Sequence, residues 1–561
     1  MAKRSLSPVH LPPAKRVHLP VSSPPSPSIL PARVQSGAGS FESFYDELVL
    51  HILTFLSYTD LCSLQAINRN WARLSLDNQL WKGLYLREFG RLRLRGSRGF
   101  ARRRDGRETK SLPSRVAPED VQDWKRMFRI STNWRNGRCR TSAVDESSTF
   151  PLSSTQRGHA QPEQVGTSRL EQGSKVPQIT LAGKYTIISS PEASHSPSIL
   201  VLSPSAPNHV IHVVPIRAQQ PVRVTALAVD QSSSRSRANL HIAACISNGD
   251  IYVHELHSPT RKHHYAPPFK SPRIAPIIQA AYCHPVLVTL SESFSLSVYD
   301  LTHDVMQVVH VLTSFTSFPP ASVVLTMPEP ETYKLLLTYA SPVYPAHWSV
   351  GVTEVILSNG ALHHAPASPF TSPMRAPSSL LATRSTRAFE IPAGWIDEAK
   401  LRIVREHWGR KVGNVADTQT DGRWVVLAPA EKGEARPQGG FTLASFPLQL
   451  YRLSSPPLRA GAGAVPKLSF VRSLLGHTGP VSALALADGR CVSLGVDGTV
   501  WVWDLEKGRG TEVAPWACAS SMSESGDDDC LSTARGTIAF DERRIITAGA
   551  SGRVVVRDFD I

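Results

Sequence analysis

A chain of 561 residues with 41% hydrophobic side chains and a formal net charge of +15 is long enough for more than one structural unit and apolar enough to bury a core. No window approaches the roughly 18 consecutive apolar residues of a membrane span, and the basic N-terminus lacks the apolar stretch of a secretory signal. The cysteines (Cys62, Cys139, Cys245, Cys283, Cys491, Cys518 and Cys530) form no CxxC pair, which argues against a disulfide framework or a zinc site and fits a reducing intracellular compartment.

Residues 1–40 are rich in Pro, Ser and basic side chains and predict a disordered tail. Within it PPAKRVHL, residues 12–19, looks like a proline-flanked nuclear import signal centred on Lys15 and Arg16. It implies a nuclear protein, with the cytoplasm as a second compartment. Ser7, Ser23 and Ser26 each precede a proline, but such dipeptides are too common in tails to carry weight.

Between residues 41 and 88 apolar residues recur at helical spacing. Leu48, Ile52, Leu53 and Leu56 share a face of a first helix, and Thr59 is the expected N-cap of a second carrying Leu61, Leu64, Ile67 and Trp71. Asp77 caps a third with Leu80, Trp81, Leu84 and Tyr85. Three such helices make too small a core to stand alone, so a partner or attached element is expected to cover apolar surface.

This stretch resembles an F-box: Glu47-Leu48, Ile52-Leu53, Leu56, Asp60-Leu61, Leu64 and Trp71 fall in the family's register, and Leu80-Trp81 with Leu84-Tyr85 match its end. Tyr45 stands where the family usually has proline. The resemblance implies docking on a Skp-type adaptor and, through it, on a cullin and a RING subunit. The contacts it implies are Tyr45, Leu48, Ile52, Leu53, Leu56, Leu61, Leu64, Ile67, Trp71, Leu80 and Trp81.

An arginine run at residues 87–110, REFGRLRLRGSRGFARRRDGRETK, nearly lacks interleaved aromatics, and residues 89–119 predict a basic, flexible linker. Binding to RNA or an acidic partner is its second reading. Residues 120–138 predict a connecting helix, with Val121, Trp124, Met127 and Phe128 on one face. The Asn133-Trp134-Arg135-Asn136-Gly137 that follows resembles the junction of F-box/WD-repeat proteins, which in that family leads into the strand that closes a propeller. Residues 145–175 read as a disordered insertion.

Residues 139–561 predict a mainly β, seven-bladed WD-repeat propeller. GTVWVWDLEKG, residues 498–508, is the sharpest signal, with Gly476 and His477 upstream in the layout of one WD repeat. Weaker units precede it at 175–216, 223–256, 276–301, 322–357 and 422–453, and one follows at 536–561. Their spacing of roughly 40 to 60 residues suits blades with loop insertions. The last unit ends after its third strand, and the segment around residues 139–144 is available to supply a fourth. IDEAKLRIVREHWGRKV, residues 396–412, has helical spacing and should protrude between blades four and five.

No P-loop, nucleophile elbow or His-Glu-x-x-His is present, and His263-His264 and His363-His364 lie in loop sequence without metal-type spacing. No cofactor, metal or catalytic residue is expected, and no cysteine stands in the setting of a ligase nucleophile. By resemblance His477, Asp497 and Trp503 brace blade six. Positions where some relatives carry phosphate-reading arginines hold Thr225, Ser482, Val496, Gly536 and Ala550 instead, none basic. Arg223, Arg490 and Arg553 lie near enough to contribute to a substrate face.

The acidic stretch at 521–530 reads as a surface loop. The expected function is that of a non-catalytic substrate receptor of a ubiquitin ligase, binding an unidentified protein. The alternative is a nuclear scaffold or nucleic-acid-associated propeller whose F-box governs its own turnover.

Overall fold

The computed structural model describes residues 44–89, 110, 123–144, 176–183, 185–203, 210–232, 240–255, 262–265, 275–302, 305–329, 331–358, 379–391, 394–430, 446–458, 464–513, 536–549 and 553–561. Lys15, Arg16, the 145–175 segment, the acidic stretch at 521–530, Val121, Ala550 and nearly all of the arginine run lie outside them. Among the described residues the strands form seven four-stranded antiparallel sheets, the blades of a propeller.

Six blades are simple meanders, innermost strand first. The seventh takes three strands from the end of the chain, Thr537–Phe540, Arg544–Ala548 and Val554–Asp558, and its outermost from Arg140–Val144. Arg140–Val144 runs antiparallel to Val554–Asp558, Thr141 opposite Arg557 and Val144 opposite Val554. Joining distant segments in one blade leaves no gap in the ring and no inner edge to template aggregation.

Burial follows from this stacking. The second strand of a blade is covered on both faces, so its alternation vanishes: Trp424–Pro429 and Arg490–Gly495 are buried throughout. Neighbouring blades share the side chains between them. Leu335 and Leu337 point toward blade three, whereas Leu336 and Ala340 pack with Val415, Val425 and Leu427 of blade five.

Two blades differ from expectation. Blade five begins at Val415–Thr420, upstream of the unit read from the sequence. That strand, VADTQT, is polar in composition yet half buried, because the Thr418 and Thr420 hydroxyls donate to the carbonyls of Val426 (3.3 Å) and Trp424 (2.8 Å). Blade four has strands of 12, 12, 12 and 9 residues, Phe318–Glu329, Thr332–Val343, His347–Ser358 and Ser379–Arg387. A helix then follows it, as the spacing predicts.

In every blade the strands alternate direction, so the links between blades and the second turn of each blade share one face. We call this face upper. The first and third turns lie on the lower face.

Among the described residues, four helices rather than three precede the connecting helix: α1 (Asp46–Leu53), α2 (Tyr58–Leu64), α3 (Arg69–Ser75) and α4 (Asn78–Phe89). The cap of α2 is Ser57, not Thr59. Its hydroxyl accepts from the Asp60 amide, and the Asp60 carboxylate accepts from the Ser57 amide, each at 3.3 Å. The expected second helix is broken at Asn68, whose side chain accepts from the Trp71 amide at 2.8 Å and starts α3. Asp77 does cap α4, accepting from the amides of Gln79 and Leu80. Helix α5 (Trp124–Asn136) completes the small core with Trp124 and Phe128, and α6 (Glu398–Trp408) stands between blades four and five.

Candidate functional site

The residues predicted to meet an adaptor divide into two sets. Tyr45, Leu48, Ile52 and Ile67 are exposed, and Leu56, Leu64 and Trp71 are half buried. Leu53, Leu61, Leu80 and Trp81 are instead buried inside the helical core, Trp81 with its indole donating to the Ser75 carbonyl at 2.8 Å. They shape the surface from beneath, as core residues and not the exposed contacts that the resemblance implies. The exposed set is larger than the sequence reading proposed, since Phe44, Phe55 and Tyr58 join it. Tyr45, Leu48, Ile52 and Phe55 recur at three- and four-residue intervals, so they form one apolar stripe facing water.

Helix α5 fastens this domain to the lower face. At its start Asp123 accepts from the Arg126 amide, and the Trp124 amide donates to the Asn78 side chain at 2.9 Å. Phe128 packs against Trp81 and Phe89, with ring centroids 5.5 and 5.4 Å away. Toward its end, the Trp134 indole donates to the Glu542 carbonyl at 2.9 Å, and the Asn133 amide group donates to the Phe559 carbonyl at 2.9 Å. Asp560 receives both Arg126 and Arg129. Burial alone would raise its pKa, but those guanidinium hydrogen bonds outweigh it and hold the carboxyl below the usual range. One residue of the arginine run is also fixed: the Lys110 amide donates to the Asp421 carbonyl at 2.7 Å, and its carbonyl accepts from the Asp488 amide at 3.0 Å. Nothing in the composition of the run marked that tether to blades five and six.

The three arginines assigned to a substrate face do not share one. Arg223 precedes the first strand of blade two and Arg553 precedes the third of blade seven, both on the upper face. Arg490 begins the second strand of blade six, on the lower face, where it is buried with its guanidinium 5.1 Å from the Trp134 ring centroid. It belongs to the α5 joint. Of the non-basic positions, Thr225 and Ser482 turn their hydroxyls back to the carbonyls of Cys245 and Leu494.

In blade six, His477 Nε2 lies 2.6 Å from the Ser493 hydroxyl, which also accepts from the Trp503 indole at 2.9 Å. Asp497 reaches this network through Thr499, whose hydroxyl donates to it at 2.7 Å and lies 3.5 Å from His477 Nδ1. Gly476 is required beside them, because a Cβ there would meet the Trp501 ring at 2.7 Å and the Trp503 ring at 2.8 Å. Burial lowers the His477 pKa to about 4, with the Asp497 charge opposing, so the imidazole is neutral.

Among the described residues, no group of three or more His, Cys, Asp or Glu side chains is arranged to hold a metal ion. Burial pushes the Cys245 thiol up to about 12, Cys491 well above its ordinary value and Cys139 upward, which suits packing rather than nucleophilic attack. No helix of the described residues is long and apolar enough to cross a membrane.

Comparison with known proteins agrees with this division. Residues 46–87 match the family model described as F-box-like, and residues 193–387 match the one described as F-box protein pof12 beta-propeller. The chain is 35% identical over 97 residues to F-box protein pof12 of Schizosaccharomyces pombe, a match covering 17% of this chain and only 18% of that protein.

Among solved structures, the propeller domain of Cps50 (Swd1) from Myceliophteria thermophila is 11% identical, with a TM-score of 0.37 over 69% of this chain and 97% of that one. BamB from Moraxella catarrhalis is 10% identical, with a TM-score of 0.33 over 71% and 99% of the respective chains. Likenesses this slight carry no functional argument. The two family matches and the fold agree on an F-box-like helical domain joined to a β-propeller.

Proposed function

We propose that this protein is the substrate-recognition subunit of a Skp–cullin–F-box ubiquitin ligase. The observation that carries the reading is the exposed stripe of Leu48 and Ile52 on α1 with Tyr45 and Phe55 at its two ends, held by α5 at a fixed place beneath a propeller whose upper face is turned away from it. The stripe suits a helical, Skp-type adaptor, which brings a cullin and a RING subunit. The propeller suits a protein substrate. The receptor itself makes and breaks no bond: it raises the effective concentration of a substrate lysine beside a charged ubiquitin carrier. The import-like signal at Lys15 and Arg16 supports a nuclear setting, tested by imaging a Lys15→Ala/Arg16→Ala variant.

Reconstitution of the full chain with a Skp-type adaptor tests the main reading. The wild type should co-elute with the adaptor, and Leu48→Glu/Ile52→Glu should not, at unchanged thermal stability. A well-folded wild type that fails to bind the adaptor overturns it.

A further inference from the structure

Blade four departs from the other blades, and its departure gathers at the upper end. There lie the start of Phe318–Glu329, the turn after Thr332–Val343 at Tyr344, and the exit from Ser379–Arg387 toward α6. This end is fixed by contacts. Trp348 and Val412 exchange backbone hydrogen bonds of 2.8 and 3.0 Å, and the Trp348 ring lies 5.4 Å from Phe318. Trp408 of α6 lies 5.8 Å from Phe389 and 6.2 Å from His347. Arg387 donates to the Thr316 hydroxyl at 2.9 Å.

What this anchored end turns outward is apolar. Trp395 is 97% exposed, Phe315 91% and Tyr344 88%, with Ile391 and Ile403 also exposed. None of the residues of α6 is buried. Large exposed aromatics are the usual anchors of a protein interface, and these three stand in the turns and links at the ends of strands and of α6. The charge beside them is mainly cationic: between residues 387 and 411, six Lys and Arg stand against four Asp and Glu.

Two of those carboxylates are already engaged. Asp397 caps α6 by accepting from the Lys400 amide, and Glu406 pairs with Arg410 at 3.4 Å. Arg402 and Arg405, both exposed on α6, have no partner among the described residues. A second copy of this chain would set like charge on like charge, against a net charge of +15.

Resting on the receptor reading, we propose that the upper end of blade four is where the substrate docks. Its occupant is an acidic segment of a partner protein with aromatic or aliphatic anchors. The anchors seat on Trp395 and Tyr344, and the carboxylates meet the guanidinium forks of Arg402 and Arg405, three residues apart on one side of α6.

The probe is a displayed library of short random peptides panned on the full chain. Enriched peptides are measured by fluorescence polarisation against wild type, Trp395→Ala, Arg402→Glu/Arg405→Glu and Leu48→Glu/Ile52→Glu. Enriched peptides should combine Asp or Glu with Trp, Phe or Leu. Their affinity should fall roughly thirtyfold in Trp395→Ala and at least about tenfold in the arginine pair. It should stay unchanged in Leu48→Glu/Ile52→Glu.

The proposal is overturned by failure to enrich any peptide, by enriched peptides without acidic residues, or by peptides that bind both upper-face variants as wild type. A wild-type dimer in sedimentation that Trp395→Ala dissolves overturns it too. Loss of adaptor binding alone, with the peptide results intact, counts against the receptor reading and not against this surface.

Discussion

The indole of Trp134 lies flat on the ring of Phe559, centroids 4.2 Å apart and planes 16° from parallel. The first belongs to α5, the helix that completes the small helical core, the second to the end of the blade that closes the ring. The pair is therefore the weld between the two halves of the molecule, and Arg490 covers it from blade six. Trp134→Ala should cost about 3–5 kcal/mol, read by urea denaturation, because it opens a cavity and strands the Glu542 carbonyl. Trp134→Phe keeps the stacking and should cost only about 1–2 kcal/mol. Equal losses in the two variants would mean that the hydrogen bond, not the ring, holds the joint.

The helical domain puts exposed and core positions side by side within one element. Leu48 and Ile52 face water while Leu53 is buried in the same helix. Leu48→Glu or Ile52→Glu should abolish capture of a Skp-type adaptor with a melting temperature unchanged. Leu61→Ala should lower stability by about 2–5 kcal/mol, since its side chain has no exposure to lose. If Leu48→Glu also unfolds the domain, the stripe is covered in solution and the assignment of surfaces fails.

What could be read from the sequence follows from where the physical signal resides. Blade six was legible because its brace is written in side chains, His477, Ser493 and Trp503, at spacings that survive without context. The first strand of blade five was not: Thr418 and Thr420 look exposed until the next strand supplies carbonyls for their hydroxyls. Periodicity placed Leu48 and Leu53 in one apolar helix, but α1 is apolar on more than one side. Only packing against α3 and α4 decides which side is covered. Arg490 is a related case, since nearness along the chain to an upper-face turn says nothing of strand direction. The upper end of blade four gave its helix away by spacing, while the exposure of Trp395 depends on what fails to pack on it.

The end of α5 makes a sharper demand on backbone. Gly137 adopts the left-handed conformation at φ 65°, and a Cβ there would run into the Glu512 carbonyl of blade six. Gly137→Ala should therefore cost more than the roughly 1 kcal/mol of a left-handed alanine alone, because α5 must lift from the blade. Limited proteolysis near residue 137 should accelerate, and a variant with wild-type resistance would show that the close approach relaxes freely.

Blade four buries a charge cluster whose balance can be tested. Glu354 lies between Lys334 at 2.7 Å and Arg384 at 3.7 Å, all three inside the protein. Glu354→Ala takes the carboxylate from two buried cations and should cost about 3–5 kcal/mol. Replacing all three with apolar residues of similar volume should cost much less, because the desolvation of each charge is then relieved. Equal destabilisation by the single and triple changes would show that packing of blade four, not charge pairing, sets the loss.

His477 ties the brace of blade six to pH. The folded pKa is near 4 against an ordinary value of 6.5, chiefly through burial. As pH falls, the unfolded chain takes up the proton first, so its contribution is complete above about pH 6.5 and is lost as pH falls toward 4. A shift of this size corresponds to roughly 3 kcal/mol at most. His477→Gln removes the titrating group, so urea midpoints measured from pH 7 to 4.5 should fall less steeply in the variant than in wild type. The carboxylates that titrate in the same range are common to both proteins and cancel in the difference. Parallel curves would mean that the imidazole enters the fold already charged, and that Asp497, acting beside Thr499, compensates its burial.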